Sequence, residues 1–327
     1  MTEHERIVAA VAGKPVDRVP IALWRHFPQD DQRAESLAAA HVAFQQRYEW
    51  DFLKVTPMSG YYGDDWGLRA GYRPNREGTR HYTERPIKKP GDWGHLKRLD
   101  VTAGVYGREL NALRLIRQAL PATLILSTVF SPLSIARTLS GEQALVRYLR
   151  ETPDELLRGL DIIADVTAQF AVESLAAGAD GIFFATQCAS TEYLTVEEYE
   201  EFGRPYDLRV LEAAAVAAIR LLHLHGREIM FDAFTDYPID AINWHDRRTS
   251  PSLAEARSRF SGAVAGGVNE WDTLGAGTPD QITAEIRDAI TQTGGTRHIV
   301  AGGCVIPIDV PATHLQAARA AVLPSAS

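Results

Sequence analysis

The sequence predicts an α/β fold: a single (β/α)8 TIM barrel with a long insertion between its second and third strands. Three observations carry this. Eight short apolar runs recur along the chain, amphipathic helical stretches lie between them, and 327 residues is a length that one such barrel fills. The runs are Val19–Trp24, Phe52–Thr56, Thr123–Phe130, Gly181–Thr186, Leu221–His225, Ala241–Trp244, Ala263–Val268 and Ile299–Cys304. An open doubly wound sheet shows the same alternation with fewer strands and is the alternative architecture.

The interval 57–122 separates the second and third runs and is rich in aromatics, glycine and charge. Intervals this long carry structure of their own or serve as lids. Asp64-Asp65-Trp66-Gly67 and Tyr82-Thr83-Glu84-Arg85-Pro86 read as turn-rich hairpin material over the barrel mouth. Further on, Thr152-Pro153-Asp154-Glu155 opens a helix over Pro153–Ala177, with proline in the first turn and acids facing the positive end of the dipole. A second amphipathic stretch covers Val196–Arg220. A third, Thr278–Thr293, opens with Thr-Pro-Asp and stops before Gly294-Gly295. The tail beyond Val322 is small and polar and is expected to fray. The whole of 1–327 reads as one barrel domain, with 57–122 as a lid-like or hairpin excursion.

Composition excludes several functions. Thirty-four basic against 42 acidic side chains give a net charge of −8, unlike the basic footprint of a nucleic-acid binder. No run approaches the roughly 18 apolar residues of a membrane helix, and the polar N-terminus carries no apolar signal core. Two cysteines, Cys188 and Cys304, suit a reducing compartment, so the cytoplasm is the expected location. There is no G-x-x-x-x-G-K-[ST] loop and no strand-following G-x-G-x-x-G. Of the five lysines only Lys54 falls on a core strand, which disfavours Schiff-base aldolase chemistry.

Active sites of such barrels lie at the C-terminal strand ends. Those ends present Arg25, Thr56, Ser131, Gln187 with Cys188, His223 with His225, His245 with Asp246, Asn269 with Glu270, and Cys304. His223-Leu224-His225 is the sharpest local feature: residues i and i+2 of a strand share a face, so both imidazoles project together. With Cys304 as a thiolate from the last strand they form a candidate N/N/S zinc site with an open fourth position. Arg25 can pair with a substrate carboxylate or phosphate. Val264-Ala-Gly-Gly-Val268 and Val300-Ala-Gly-Gly-Cys304 echo each other, as phosphate-binding loops or simply as tight strand exits.

Gly13-Lys-Pro-Val-Asp-Arg-Val-Pro20 with Trp24-Arg25, Asp51-Phe-Leu-Lys-Val55, Gly178-Ala-Asp-Gly-Ile-Phe-Phe184, Val264–Asn269 and Gly302-Gly-Cys-Val-Ile-Pro307 resemble segments of the uroporphyrinogen decarboxylase superfamily. The resemblance spans nearly the whole chain and implies a (β/α)8 barrel. In its decarboxylase branch arginines and an aspartate hold a tetrapyrrole, and Arg25 and Asp51 match the first arginine and the aspartate. The second arginine of that motif is absent here, and the late histidine becomes Gly303 beside Cys304.

The zinc-dependent branch moves methyl groups between a corrinoid protein and a thiol through H-x-C-G and G-C-x-I-P motifs. His223-x-His225-Gly226 and Gly303-Cys304-Val-Ile-Pro307 match these, with histidine in place of one cysteine. One thiolate and two imidazoles leave a zinc ion more Lewis-acidic than a thiolate-rich site does. The sequence is therefore expected to encode a zinc-dependent methyltransferase-like enzyme with His223, His225 and Cys304 as ligands. Arg25, Gln187 and Asn269 are expected to line the pocket and Asp51 to shape its entrance. A small-molecule substrate, a methyl-corrinoid protein or small methylated molecule as donor, and a monomer or homodimer complete the expectation. The alternatives are a cofactor-free decarboxylase of a polycarboxylate using Arg25 and Asp51, and a zinc hydrolase or lyase with Asp246 or Glu270 as base.

Overall fold

A computed structural model describes residues 1–323. The tail beyond, expected to fray, lies outside the described residues. Nine strands form: β1 (Leu53–Val55), β2 (Arg69–Tyr72), β3 (Arg80–Glu84), β4 (Ile125–Phe130), β5 (Gly181–Thr186), β6 (Ile219–Leu224), β7 (Ala241–Trp244), β8 (Ala263–Val268) and β9 (His298–Gly302). Seven of them make one parallel sheet in the order β1-β4-β5-β6-β7-β8-β9, while β2 and β3 pair antiparallel. No described helix is long and apolar enough to cross a membrane.

The eighth barrel position is taken by residues 19–24, between β9 and β1. Here only Ile21 bridges, to Val300, where the sequence predicts a full strand. The reason is local. Pro20 has no N–H to give a ladder, so closure rests on few bonds. On one side Ala22 N donates to Val300 O (3.0 Å) and Val300 N to Pro20 O (2.8 Å). On the other, Asp51 N donates to Ile21 O (2.9 Å), and the Asp51 carboxylate accepts from Ile21 N (2.7 Å). That carboxylate, fully buried, also takes Arg6 Nη1 at 2.5 Å and Arg18 Nη1 at 2.7 Å.

Period-two alternation divides the strand side chains between two cores. Ile182, Phe184, Leu222, Leu224, Ile242 and Trp244 join the outer core under the helices. Phe183, Ala185 and Leu221 face the barrel interior. On β1, Leu53 and Val55 point outward, which turns Lys54 inward.

The predicted helix over 153–177 forms as Pro153–Ala176, and that over 278–293 as Pro279–Thr293, N-capped by Thr278 and stopped by left-handed Gly294. The predicted stretch Val196–Arg220 is instead two helices, Val196–Phe202 and Arg204–Ala213, and its last residues belong to β6. Pro205 explains the break, since a proline suits the first turn of a new helix and not the interior of a long one. Within 57–122 lie the short helix Tyr61–Asp64, the β2–β3 hairpin, a 3-10 turn at Pro90–His95 and the helix Gly104–Ala119. Asp65 and its neighbours follow the short helix, and Tyr82–Glu84 belong to β3.

The hairpin tip is tied over the C-terminal barrel end. Ile308 N donates to Arg76 O (2.8 Å), Arg76 pairs with Asp309 (2.8 Å), and Arg80 pairs with buried Asp31.

Candidate functional site

Strand register builds the site. His223 on β6 sits opposite Asn243 on β7, which sits opposite Ala265 on β8. All three face the interior, so the next inward positions up, His225 and His245, stand side by side at the mouth. Their rings are 5.2 Å apart, and His223 lies 5.7 Å and 6.0 Å from them. Cys304, two residues past β9, reaches across, its Sγ 3.7 Å from His225 Nδ1. One ligand atom from each of His223, His225, His245 and Cys304 falls within 4.8 Å of the others. Gly303 makes this approach feasible: a Cβ there would lie 2.7 Å from His245 Cα.

Hydrogen bonds fix which imidazole nitrogens are free. Asn243 Nδ2 donates to Ala265 O (2.7 Å) and Gly302 O (3.0 Å), so its Oδ1 accepts from His223 Nδ1 at 2.7 Å. His223 Nε2 is then a buried lone pair with no partner among the described residues. His245 Nδ1 donates to Glu270 Oε1 at 2.9 Å, which frees its Nε2 in the same way. Burial alone would push the Glu270 carboxyl up, but the His245 bond and the nearby Arg248 outweigh it and hold it below its ordinary value. Carboxylate-bonded and amide-bonded imidazoles of this kind are the usual outer support of metal ligands.

The proton affinities also fit a cation. Burial, with the neighbouring imidazoles, pushes His225 down to about 3 and His223 well below its ordinary value, so both present neutral nitrogens. Burial and then Glu270 raise the Cys304 thiol to about 12, and only an added positive charge would bring out its thiolate. Three imidazoles and one thiolate are a donor set zinc accepts.

These residues line a cavity of about 470 Å³. Its walls include Trp24, Tyr62, Phe130, Phe183 and Gln187, and its cover includes Glu77, Thr79 and Tyr82 from the hairpin. Lys54 also faces in, 6% exposed, donating to Thr56 Oγ1 at 3.3 Å and lying 4.7 Å over the Phe183 ring. Burial lowers its ammonium to about 7, partly offset by Cys304.

Of the pocket residues expected from sequence, Gln187 lines this cavity and three do not. Arg25 turns away, donating to Ile308 O (2.8 Å) and lying over Phe27 and Phe44. Asn269 closes a turn, its Oδ1 accepting from Trp271 N and Asp272 N at 2.9 Å each. Asp51 precedes β1 and so sits at the N-terminal end of the barrel, in the ion-pair cluster with Arg6 and Arg18.

Asp246 faces the β8 exit, accepting from Gly267 N at 3.0 Å, and Gly266 leaves room for its carboxylate. Gly266-Gly267 thus lies within β8, packed on Asp246 and Ala289, and Gly302-Gly303 lies at the end of β9, against the Cys304 carbonyl and His245 Cα. Cys188 is buried against Leu133 O, its thiol raised to about 12 by burial. His245 is the donor that sequence reasoning left out of the ligand set. Its signal was a histidine at the end of the strand beside His223-x-His225.

A parallel barrel with a histidine–cysteine cluster that could hold a metal at its C-terminal mouth defines the class of (β/α)8-barrel proteins with their site at the strand ends. The model of the uroporphyrinogen decarboxylase (URO-D) family matches residues 2–323, and the chain belongs to that family. It is 24% identical to the methylcobamide:CoM methyltransferase MtbA of Methanosarcina mazei, over 97% of each chain. It is 23% identical to MtaA of Methanosarcina barkeri strain Fusaro, over 98% of this chain and 97% of that one. A solved methyltransferase from Methanosarcina mazei superposes with a TM-score of 0.88 at 20% identity, covering 98% of both chains, which shows the shared barrel fold.

Proposed function

We propose that the protein is a zinc-dependent methyltransferase that delivers a methyl group to a thiol held at the barrel mouth. The observation that carries this reading is the convergence of His223, His225, His245 and Cys304 on one cavity, with donor atoms within 4.8 Å. The methyltransferase relatives matched over 97% of their length support it.

A zinc ion held by three of these four donors would keep one position open and would supply Lewis acidity that lowers the pKa of a thiol there. The remaining work falls to the chain. Asn243 holds the proton on His223 Nδ1, and Glu270 holds the proton on His245 Nδ1, so both Nε2 lone pairs are left for a metal. Trp24, Phe130 and Phe183 keep water from the reacting sulfur, and Gln187 offers an amide beside it. The β2–β3 hairpin within 57–122 acts as the lid, its tip parting from Asp309 and Ile308 to admit the acceptor. A methyl-corrinoid protein docked over the opened mouth is the methyl donor.

The test is metal content of the purified protein and of Cys304→Ala, together with methyl transfer from methylcobalamin to a panel of thiols. About one zinc per chain, lost in the variant, and transfer that follows the metal are expected. Protein that takes up no zinc on reconstitution would overturn the proposal. Zinc-loaded protein that hydrolyses esters and methylates no thiol would replace it with the hydrolase alternative.

A further inference from the structure

Lys54 is the one buried charge in the cavity that the methyl-transfer reading does not use. It is 6% exposed, and among the described residues no carboxylate lies within ion-pair distance of it. Its single hydrogen bond goes to Thr56 Oγ1, so two of its three N–H donors are unspent. The other cations of the lining, Arg227 and Arg248, sit at the wetter rim, and Arg248 already faces Glu270 at 3.4 Å. Glu77 lies on the exposed hairpin tip.

A buried ammonium without a counter-ion is expensive unless a bound group completes it. The cavity around it is large and aromatic. Its 470 Å³ is room for about fifteen waters at roughly 30 Å³ each, and pockets of 300–1,000 Å³ take molecules of drug size. Trp24, Phe183, Phe130, Tyr62, Tyr82 and Trp271 supply ring faces and edges on several sides. A two-carbon acid would leave most of that volume as water against aromatic walls. A flat apolar body with one acidic group would fill it.

We infer that the cavity binds an aromatic acid, its rings between the aromatic walls and its carboxylate on Lys54 Nζ. This rests on the reading of the cavity as the substrate chamber, and adds the acid and its anchor.

The test is calorimetric titration of the purified protein with 2-naphthoate, its uncharged counterpart 2-naphthamide, and acetate, repeated on Lys54→Met and on Cys304→Ala. Wild type is expected to bind 2-naphthoate more tightly than either comparison compound. Lys54→Met is expected to weaken 2-naphthoate by about tenfold to a hundredfold, the size of a charge-assisted hydrogen bond, and to leave 2-naphthamide unchanged. Cys304→Ala is expected to retain 2-naphthoate, so failure of the metal reading leaves this result standing. Naphthoate bound no better than naphthamide or acetate by the wild type would overturn the inference without recourse to any variant. So would affinity unchanged in Lys54→Met, or affinity kept there and lost in Cys304→Ala, which would put the carboxylate on a metal.

Discussion

Asp51 offers the clearest separation of a structural from a catalytic aspartate. Its side chain is fully buried and accepts four hydrogen bonds, from Arg6 Nη1, from Arg18 Nη1 and Nη2, and from Ile21 N. The two arginine side chains are 6% and 7% exposed. Neutralising Asp51 leaves Arg6 with Asp17 as its other partner and leaves Arg18 with no carboxylate among the described residues, only the Val19 carbonyl at 3.3 Å. Removing one member of a buried pair costs about 3–5 kcal/mol. Asp51→Asn keeps an acceptor for Ile21 N and belongs at the low end, about 3 kcal/mol, while Asp51→Ala belongs near 5. For a barrel of this size that corresponds to a melting temperature roughly 4–5 °C lower for the Asn variant.

Thermal melts followed by circular dichroism measure the loss, and metal content and methyl transfer are then compared well below the transition. The expected result is a clear drop in stability with metal and turnover per folded molecule unchanged. A variant that melts with the wild type yet has lost turnover would refute the reasoning and return Asp51 to the chemistry.

Three further outcomes follow from the same geometry. Asn243→Ala removes the acceptor that fixes His223, and zinc affinity in a chelator competition is expected to fall about 10–100-fold, with the fold kept. Gly303→Ala places a methyl 2.7 Å from His245 Cα, so the loop carrying Cys304 must shift; reduced zinc stoichiometry with a near-normal far-ultraviolet spectrum is expected, and normal stoichiometry would contradict the close approach. Asp207, whose Oδ2 accepts from Tyr199 and Tyr237, is pushed up by burial to about 7. The folded chain therefore keeps that proton longer than the unfolded one, and its contribution to stability is lost as pH rises from about 4 through 7. Asp207→Asn is expected to flatten that segment of a urea-midpoint profile, and an unchanged slope would count against it.

Strand positions and the inward pair His223-x-His225 were readable because a period of two is a local property. Each apolar run carries its own inside and outside, and Leu222 and Leu224 mark the outward face that turns both histidines in. Cys304 was readable as a strand-end thiol. His245 joins the set through register: Asn243 sits opposite His223, and pairing across strands is not written in either strand alone. Arg25, Asn269 and Asp51 fail for the same kind of reason. A residue type suited to binding says nothing of its rotamer or of competing partners: Arg25 turns to the Ile308 carbonyl and Asn269 closes a turn. Asp51 could have been placed by its position before the strand, since residues entering a barrel strand lie at the end away from the chemistry. The broken Val196–Arg220 stretch carried its signal in Gly203 and Pro205, against an amphipathic pattern that ran through both.

The closure at Ile21 and Val300 has a consequence for how the protein is made. The first wall of the barrel emerges from the ribosome some 280 residues before the strand it must zip against. Contacts of such separation form late. The thiolate donor follows directly on that same strand, whereas the imidazoles arrive long before it. A nascent chain stalled short of residue 298 therefore has neither a closed barrel nor Cys304, and it offers a metal only nitrogen. On the proposed metal reading, tight capture of an ion and completion of the ring would be one event in time, and only chains synthesised through their last strand would retain it.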